Sequence, residues 1–212
     1  MIPMEAILTA VIIFAATNID DLFILLLFFS QINHSFLRRH IIIGQYLGFI
    51  ALVLISLIGF LVSFIIPSVW IGFLGLVPIF IGVYKLFNPE QRGVATKNEK
   101  NIKQPATPPS LFSSLLNPKT YTVASITFAN GGDNIGVYTP LFANSDLPRL
   151  AIIIAIFLVL VAVWCFVGYR LTRRPKIGQA FSRWGHIFVP FVLISLGIYI
   201  IIENRTFALF FP

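Results

Sequence analysis

Residues 17–23 read Thr17-Asn18-Ile19-Asp20-Asp21-Leu22-Phe23, and residues 130–136 read Asn130-Gly131-Gly132-Asp133-Asn134-Ile135-Gly136. Both stretches set carboxylates and amides between apolar runs. Asp20 follows a long, mostly apolar run and precedes Leu22 to Phe29; Asp133 lies between Tyr121–Ala129 and Ile135–Ala143. A membrane helix needs ~20 mostly apolar residues. In the second stretch, neither flank reaches that length alone, but flank, motif and flank together do. Gly131-Gly132-Asp133-Asn134 would otherwise read as an aqueous turn. Each motif is therefore read as the polar interior of one membrane span.

The rest of the chain agrees. Of 212 residues, 58% are hydrophobic and 11% charged, and mean hydropathy is +0.91. A soluble domain carries about 25% charged residues. This composition excludes a cytosolic enzyme, a disordered chain and a nucleic-acid-binding domain. The formal charge of +7 then marks loops on one side of a bilayer, not a nucleic-acid partner. Cys165 is the single cysteine, which excludes a disulfide framework and a cysteine-built metal site. Met1-Ile2-Pro3-Met4-Glu5 has no basic start, so the first apolar run reads as a retained span. Six stretches qualify as spans: 4–31, 40–66, 69–87, 119–143, 150–169 and 186–203. Residues 88–118, rich in Lys and Pro, read as a cytoplasmic linker between units 1–87 and 119–212. The expected fold is all-α: a polytopic membrane protein of six transmembrane helices.

Loop charge predicts the orientation. Six spans put the loops containing Arg38 and Arg39, Lys85 to Lys119, and Arg170 to Arg183 on one face, and these hold 13 of the 15 basic residues. The positive-inside rule places that face in the cytoplasm and both termini outside.

The chain also matches itself at an offset near 113, which lays Asp20 over Asp133 and Asp21 over Asn134. Leu27-Phe28-Phe29 lies over Pro140-Leu141-Phe142, Val77-Pro78 matches Val189-Pro190, and Ile81-Gly82-Val83-Tyr84 matches Leu196-Gly197-Ile198-Tyr199. Three spans per half is an odd number, so the halves are expected to be two inverted three-helix repeats. Such repeats mark transporters, with the substrate at the repeat interface near the midplane.

Five of the eight acids fall at span ends or in loops, which leaves Asp20, Asp21 and Asp133 inside apolar surroundings. No Lys or Arg falls near the middle of any span, so these carboxylates are expected to lack a built-in counter-ion. Each ionised Asp at a helix centre costs roughly 2.5–3.5 kcal/mol. Three cost on the order of 8–10 kcal/mol, comparable to the whole stability of a domain. Such a cluster must bind a cation, take up protons or open onto water. Protonated aspartates bonded between helices are the plainer alternative; they explain one Asp better than an adjacent pair mirrored in the other half.

Spacing supports ligation. Asn18 and Asp21 are i,i+3, as are Asn130 and Asp133, and Asn134 follows at i+4 from Asn130. Asp20 points about 100° away from Asp21 on an unbroken helix. Either the two serve different roles, one as ligand and one as proton carrier, or the helix loosens there so that both meet one ion. Gly131-Gly132, with Gly136 after them, is expected to allow that in the second half, and Thr17 is a further candidate oxygen. The candidate metal set is Asn18, Asp20, Asp21, Asn130, Asp133 and Asn134. Carboxylate and amide oxygens suit hard-to-borderline divalent ions. Cys165 reads as a packing residue, and His34, His40 and His186 as interfacial residues at span ends.

These residues carry a resemblance. Asn18-Ile19-Asp20-Asp21-Leu22-Phe23 with Leu25 to Gln31, and Ala129 to Gly136 with Pro140-Leu141-Phe142-Ala143, resemble the first-span and fourth-span motifs of the cadmium-resistance transporter family (CadD-like). The likeness extends over nearly the whole chain. It implies membership of the lysine-exporter superfamily, a bacterial plasma-membrane location and a role in cadmium resistance. It leaves the cargo open, since soft cadmium is not what oxygen donors select and other superfamily members handle amino acids or manganese.

The expected function is export of a divalent cation such as Cd²⁺ by cation/proton antiport, with the ion as substrate and no cofactor. No nucleotide-binding loop is present, so an ion gradient must drive transport, and carboxylates can carry either a proton or a metal. Manganese or a quaternary ammonium ion are alternative cargoes, and a passive cation channel is a second reading. An intramembrane aspartyl protease, with two aspartates sharing a proton, is a third; Gly131-Gly132-Asp133 lacks the Gly-x-Gly-Asp pattern associated with it. Gly72, Gly75 and Gly82 offer a packing face for a homo-oligomer or for packing within the chain.

Overall fold

The computed structural model describes residues 4–87, 117–172 and 175–206, without the side chains of Ser68 and 175–188. The predicted linker lies outside the described residues up to 116, as does the side chain of His186. Among the described residues every regular element is helical: α1 (Met4–Thr17), α2 (Ile19–Ser30), α3 (Arg38–Val62), α4 (Ser68–Ile71) with a 3-10 turn (Gly72–Gly75), α5 (Leu76–Phe87), α6 (Pro118–Asn130), α7 (Gly132–Ala143), α8 (Leu147–Leu171) and α9 (Pro175–Glu203).

Among the described residues three stretches are long and apolar enough to cross a membrane: Arg38–Val62, Val69–Phe87 and Leu147–Leu171. Counting α1 and α2 as one span bent by 58° makes four. The expected fourth span, 119–143, is a pair of short helices, α6 and α7, meeting at Gly131. Its Thr, Asn, Gly and Asp content keeps it from standing as an uninterrupted apolar helix. The last predicted span is the apolar part, Val189–Glu203, of a helix that starts at Pro175.

Local chemistry sets the helix starts. Asn117 Oδ1 accepts from Lys119 N at 2.9 Å, with Pro118 in the first turn of α6. Asp146 Oδ1 accepts from Arg149 N at 2.9 Å, with Pro148 in the first turn of α8. Both are side-chain caps on backbone donors that would otherwise go unmet.

The helices pack by exchange between the halves. The long helix α3 lies along α6 and α7, α8 lies along α1 and α2, and α5 pairs with α9. Glycines permit the close approach. A Cβ at Gly44 or Gly48 would fall 2.6 Å from the carbonyl oxygen of Thr120 or Ala124, and one at Gly75 2.5 Å from that of Gly197. Gly82 likewise faces Pro190, so the third-span glycines pack within the chain. Phe14, Phe49, Tyr138 and Phe157, from α1, α3, α7 and α8, stack into a buried aromatic centre. Leu54, Ile58, Leu61, Phe80, Val159 and Phe166 stay exposed, an outer surface suited to lipid.

Polar contacts gather at two ends. At one, Lys119 Nζ donates to Ser35 Oγ at 2.7 Å and Arg38 lies over the Tyr169 ring at 4.4 Å. At the other, Arg149 pairs with Glu5 at 3.4 Å, Tyr199 OH donates to Glu5 at 3.2 Å, and Asn204 Nδ2 donates to Asn144 Oδ1 at 2.7 Å.

Candidate functional site

Both motifs break a helix. Asn18 separates α1 from α2 with φ −107° and ψ 13°; Gly131 separates α6 from α7 with φ −82° and ψ 14°. This is one bridge-region conformation, open to any residue type. No described glycine has positive φ. The second half does break at Gly131, where loosening is expected, but without a positive φ, and an asparagine makes the same break in the first half. A Cβ at Gly131 would meet the methyl end of the Leu52 side chain, whereas a Cβ at Gly132 meets nothing within 4 Å. Gly136 packs its open side toward Val77 and Ile81 of α5.

The breaks put the acids in first turns: Asp20 and Asp21 in α2, Asp133 in α7. The unmet amide dipoles of a helix N-terminus favour negative charge there. The break also separates Asn130, the last residue of α6, from Asp133, so they do not share one continuous helical face as the i,i+3 spacing suggested.

Asp21 is buried, 2% exposed. Its Oδ1 accepts from Asn130 Nδ2 at 2.7 Å, and its Oδ2 from Gln45 Nε2 at 3.1 Å. Gln45 Oε1 in turn accepts from Thr127 Oγ1 at 2.8 Å. Helices α2, α3 and α6 thus meet through one carboxylate held by amide donors, with no Lys or Arg in ion-pair range among the described residues.

Asn18 anchors a second group. Its Nδ2 donates to Phe14 O at 2.9 Å and Tyr138 OH at 2.7 Å, and Thr17 Oγ1 shares a 2.9 Å hydrogen bond with Tyr138 OH. Asn134 Nδ2 reaches Asn18 Oδ1 at 3.4 Å. Trp164 Nε1 donates at 2.8 Å to Asn18 O, a carbonyl at the helix break. The Asn134 amide oxygen is buried and has no hydrogen-bond partner among the described residues. A buried acceptor left so costs ~1–3 kcal/mol.

Asp20 and Asp133 form a third group, and for these two, though not for Asp21, it overturns the expectation of carboxylates without a counter-ion. Lys85 Nζ lies 2.9 Å from Asp133 Oδ2 and 3.7 Å from Asp20 Oδ2. Lys85 reads in the sequence as the start of a loop, because it sits three residues before Asn88-Pro89. It belongs instead to the last turn of α5, and its long stem carries the ammonium to both motifs.

The predicted set is thus brought together from both halves but divided among three groups. Among the described residues no group of three or more His, Cys, Asp and Glu is placed to hold a metal ion. Sequence reasoning passed over Lys85, Gln45, Thr127, Tyr138 and Trp164. Gln45 carried a signal, as the one amide in the second apolar run. Cys165 is buried, consistent with packing, and so is His40, which lies in the first turn of α3 with its Nδ1 accepting from Leu37 N at 3.2 Å.

A family model described as "Cadmium resistance transporter" matches residues 14–212. No curated protein and no solved structure matches the chain.

Proposed function

The chain belongs to the cadmium resistance transporter family, and on that premise we propose that it exports a divalent metal cation through a site shared by the two helix breaks. Asp20, Asp21 and Asp133 supply the charged oxygens. Asn18, Asn130 and Asn134 supply neutral ones, with Thr17 behind them. The observation that carries this reading is the burial of Asp21 beneath two amides while its neighbours Asp20 and Asp133, from opposite halves, face a single cation. The orphaned Asn134 oxygen supports it, as an acceptor in search of a partner.

The architecture proposed is six spans in two inverted three-helix repeats, 1–87 and 119–212, joined by a cytoplasmic linker. Support comes from the helix pattern. Helices α2 and α7 each have 12 residues and start at the offset of 113; α3 and α8 each have 25. The exchanged packing of α3 and α8 is what a two-fold relation between halves produces. The basic residues Arg38 and Lys119 at one end, opposite Glu5 and Arg149, support a cytoplasmic face there and termini outside. Rocking of the halves would alternate access to the site. The drive is an ion gradient, with protons exchanged on the carboxylates the cargo leaves.

Catalysis by an aspartyl dyad needs two carboxylates sharing a proton. Here the ammonium of Lys85 lies between Asp20 and Asp133, which favours cation handling. In cells challenged with Cd²⁺, Asp20→Asn, Asp21→Asn and Asp133→Asn should each abolish tolerance while membrane fractions still contain the protein. Full tolerance in all three would refute the site.

A further inference from the structure

Lys85, near the end of α5, reaches both motifs. Its ammonium contacts Asp133 of α7 and Asp20 of α2, residues that occupy equivalent positions in the two halves. All three side chains are largely shielded, with exposures of 21% for Lys85, 13% for Asp20 and 15% for Asp133. A monovalent ammonium holds carboxylate oxygens at about 2.7–2.9 Å. A bare divalent ion of calcium's size draws them to roughly 2.3–2.6 Å and binds several at once. The same oxygens cannot serve both at full strength.

We propose that the Lys85 ammonium is a tethered stand-in for the cargo. It closes the two halves on one another when no ion is bound and must swing aside for the ion to enter. This rests on the reading of Asp20 and Asp133 as cargo ligands. Lys85 keeps its charge throughout; it changes place, not protonation. The flexible four-carbon stem, near the end of α5, suits that movement. Two consequences follow for an exporter. The lysine weakens binding, because only molecules with Lys85 displaced can accept the ion. It also speeds release, because its return replaces the departing charge and spares two shielded carboxylates from facing each other.

The test is Cd²⁺ binding by the purified full-length protein in lipid nanodiscs, measured calorimetrically with Cd²⁺ as the only added metal. If Lys85 holds the site about nine times in ten, Lys85→Gln binds Cd²⁺ about tenfold more tightly than the wild type. Lys85→Arg, which keeps a tethered cation, does not gain affinity. Equal or weaker binding by a Lys85→Gln protein with a cooperative melt overturns the proposal. A second measurement covers a variant that fails to fold: in the wild type, saturating Cd²⁺ should raise acylation of the Lys85 amine, read by mass spectrometry. Unchanged acylation overturns the proposal as well. Asp20→Asn and Asp133→Asn separate this inference from the reading beneath it. If both bind Cd²⁺ like the wild type, or if the wild type does not bind it, the site reading and the Lys85 proposal fall together. If both lose Cd²⁺ and Lys85→Gln gains nothing, the Lys85 proposal alone falls.

Discussion

Asp21 shows how a carboxylate can sit buried in an apolar protein without a cation at its side. Two amides donate to it, and one of them, Gln45, is fixed from behind by Thr127. Replacing Gln45 with Leu removes a donor from Asp21 and an acceptor from Thr127 while nearly keeping the volume. Leaving such a group unmet costs ~1–3 kcal/mol. Gln45→Leu should therefore lower the unfolding free energy in mixed micelles by that amount, shifting the denaturation midpoint downward, and it should weaken Cd²⁺ transport. A midpoint equal to the wild type would mean that the Asp21 network contributes nothing to folding. At this scale the acids themselves were legible, because charge inside an apolar run is conspicuous. Their partners were not. Gln45 and Thr127 meet Asp21 only after three helices pack, and Lys85 is disguised by its place three residues before Asn88-Pro89.

At the scale of elements, the two breaks have one geometry built from different residues. Asn18 and Gly131 share the bridge-region backbone. Glycine marks the position in one half, where a Cβ would press on the methyl end of Leu52 and no positive φ calls for it. Sequence reading expected the break at Gly131-Gly132; the one at Asn18 was legible only as a condition for Asp20 and Asp21 to meet one ion, since a lone asparagine in an apolar run is a weaker breaker signal than a glycine pair. The same distinction gives a prediction. Gly48→Leu would drive a side chain into the Ala124 carbonyl and Thr127, and overpacking costs ~1–3 kcal/mol or more. Gly132→Ala places a methyl where nothing lies within 4 Å, so stability should hold or rise by up to about 1 kcal/mol. Denaturation midpoints of the two variants check this; equal losses would show that the glycine contacts do not set the spacing of α3 and α6.

Across the whole molecule, the repeat visible at an offset of 113 becomes a pattern of exchanged partners: α3 of the first half serves the break of the second, and α8 serves the break of the first. The offset was legible because polar residues recur with it. The exchange was not, because apolar helices carry no label for their neighbours. What the packing produces is a place where both halves present carboxylates to one cation, and the central claim is that the transported metal takes that place. Cd²⁺ uptake into inside-out membrane vesicles with an acidic lumen tests it most directly, with Mn²⁺, Zn²⁺, Mg²⁺ and a quaternary ammonium ion run in parallel. The wild type should accumulate metal, accumulation should collapse when the pH gradient is dissipated, and Asp21→Asn or Asp133→Asn vesicles should stay at background. Uptake by both variants at the wild-type rate would contradict the claim.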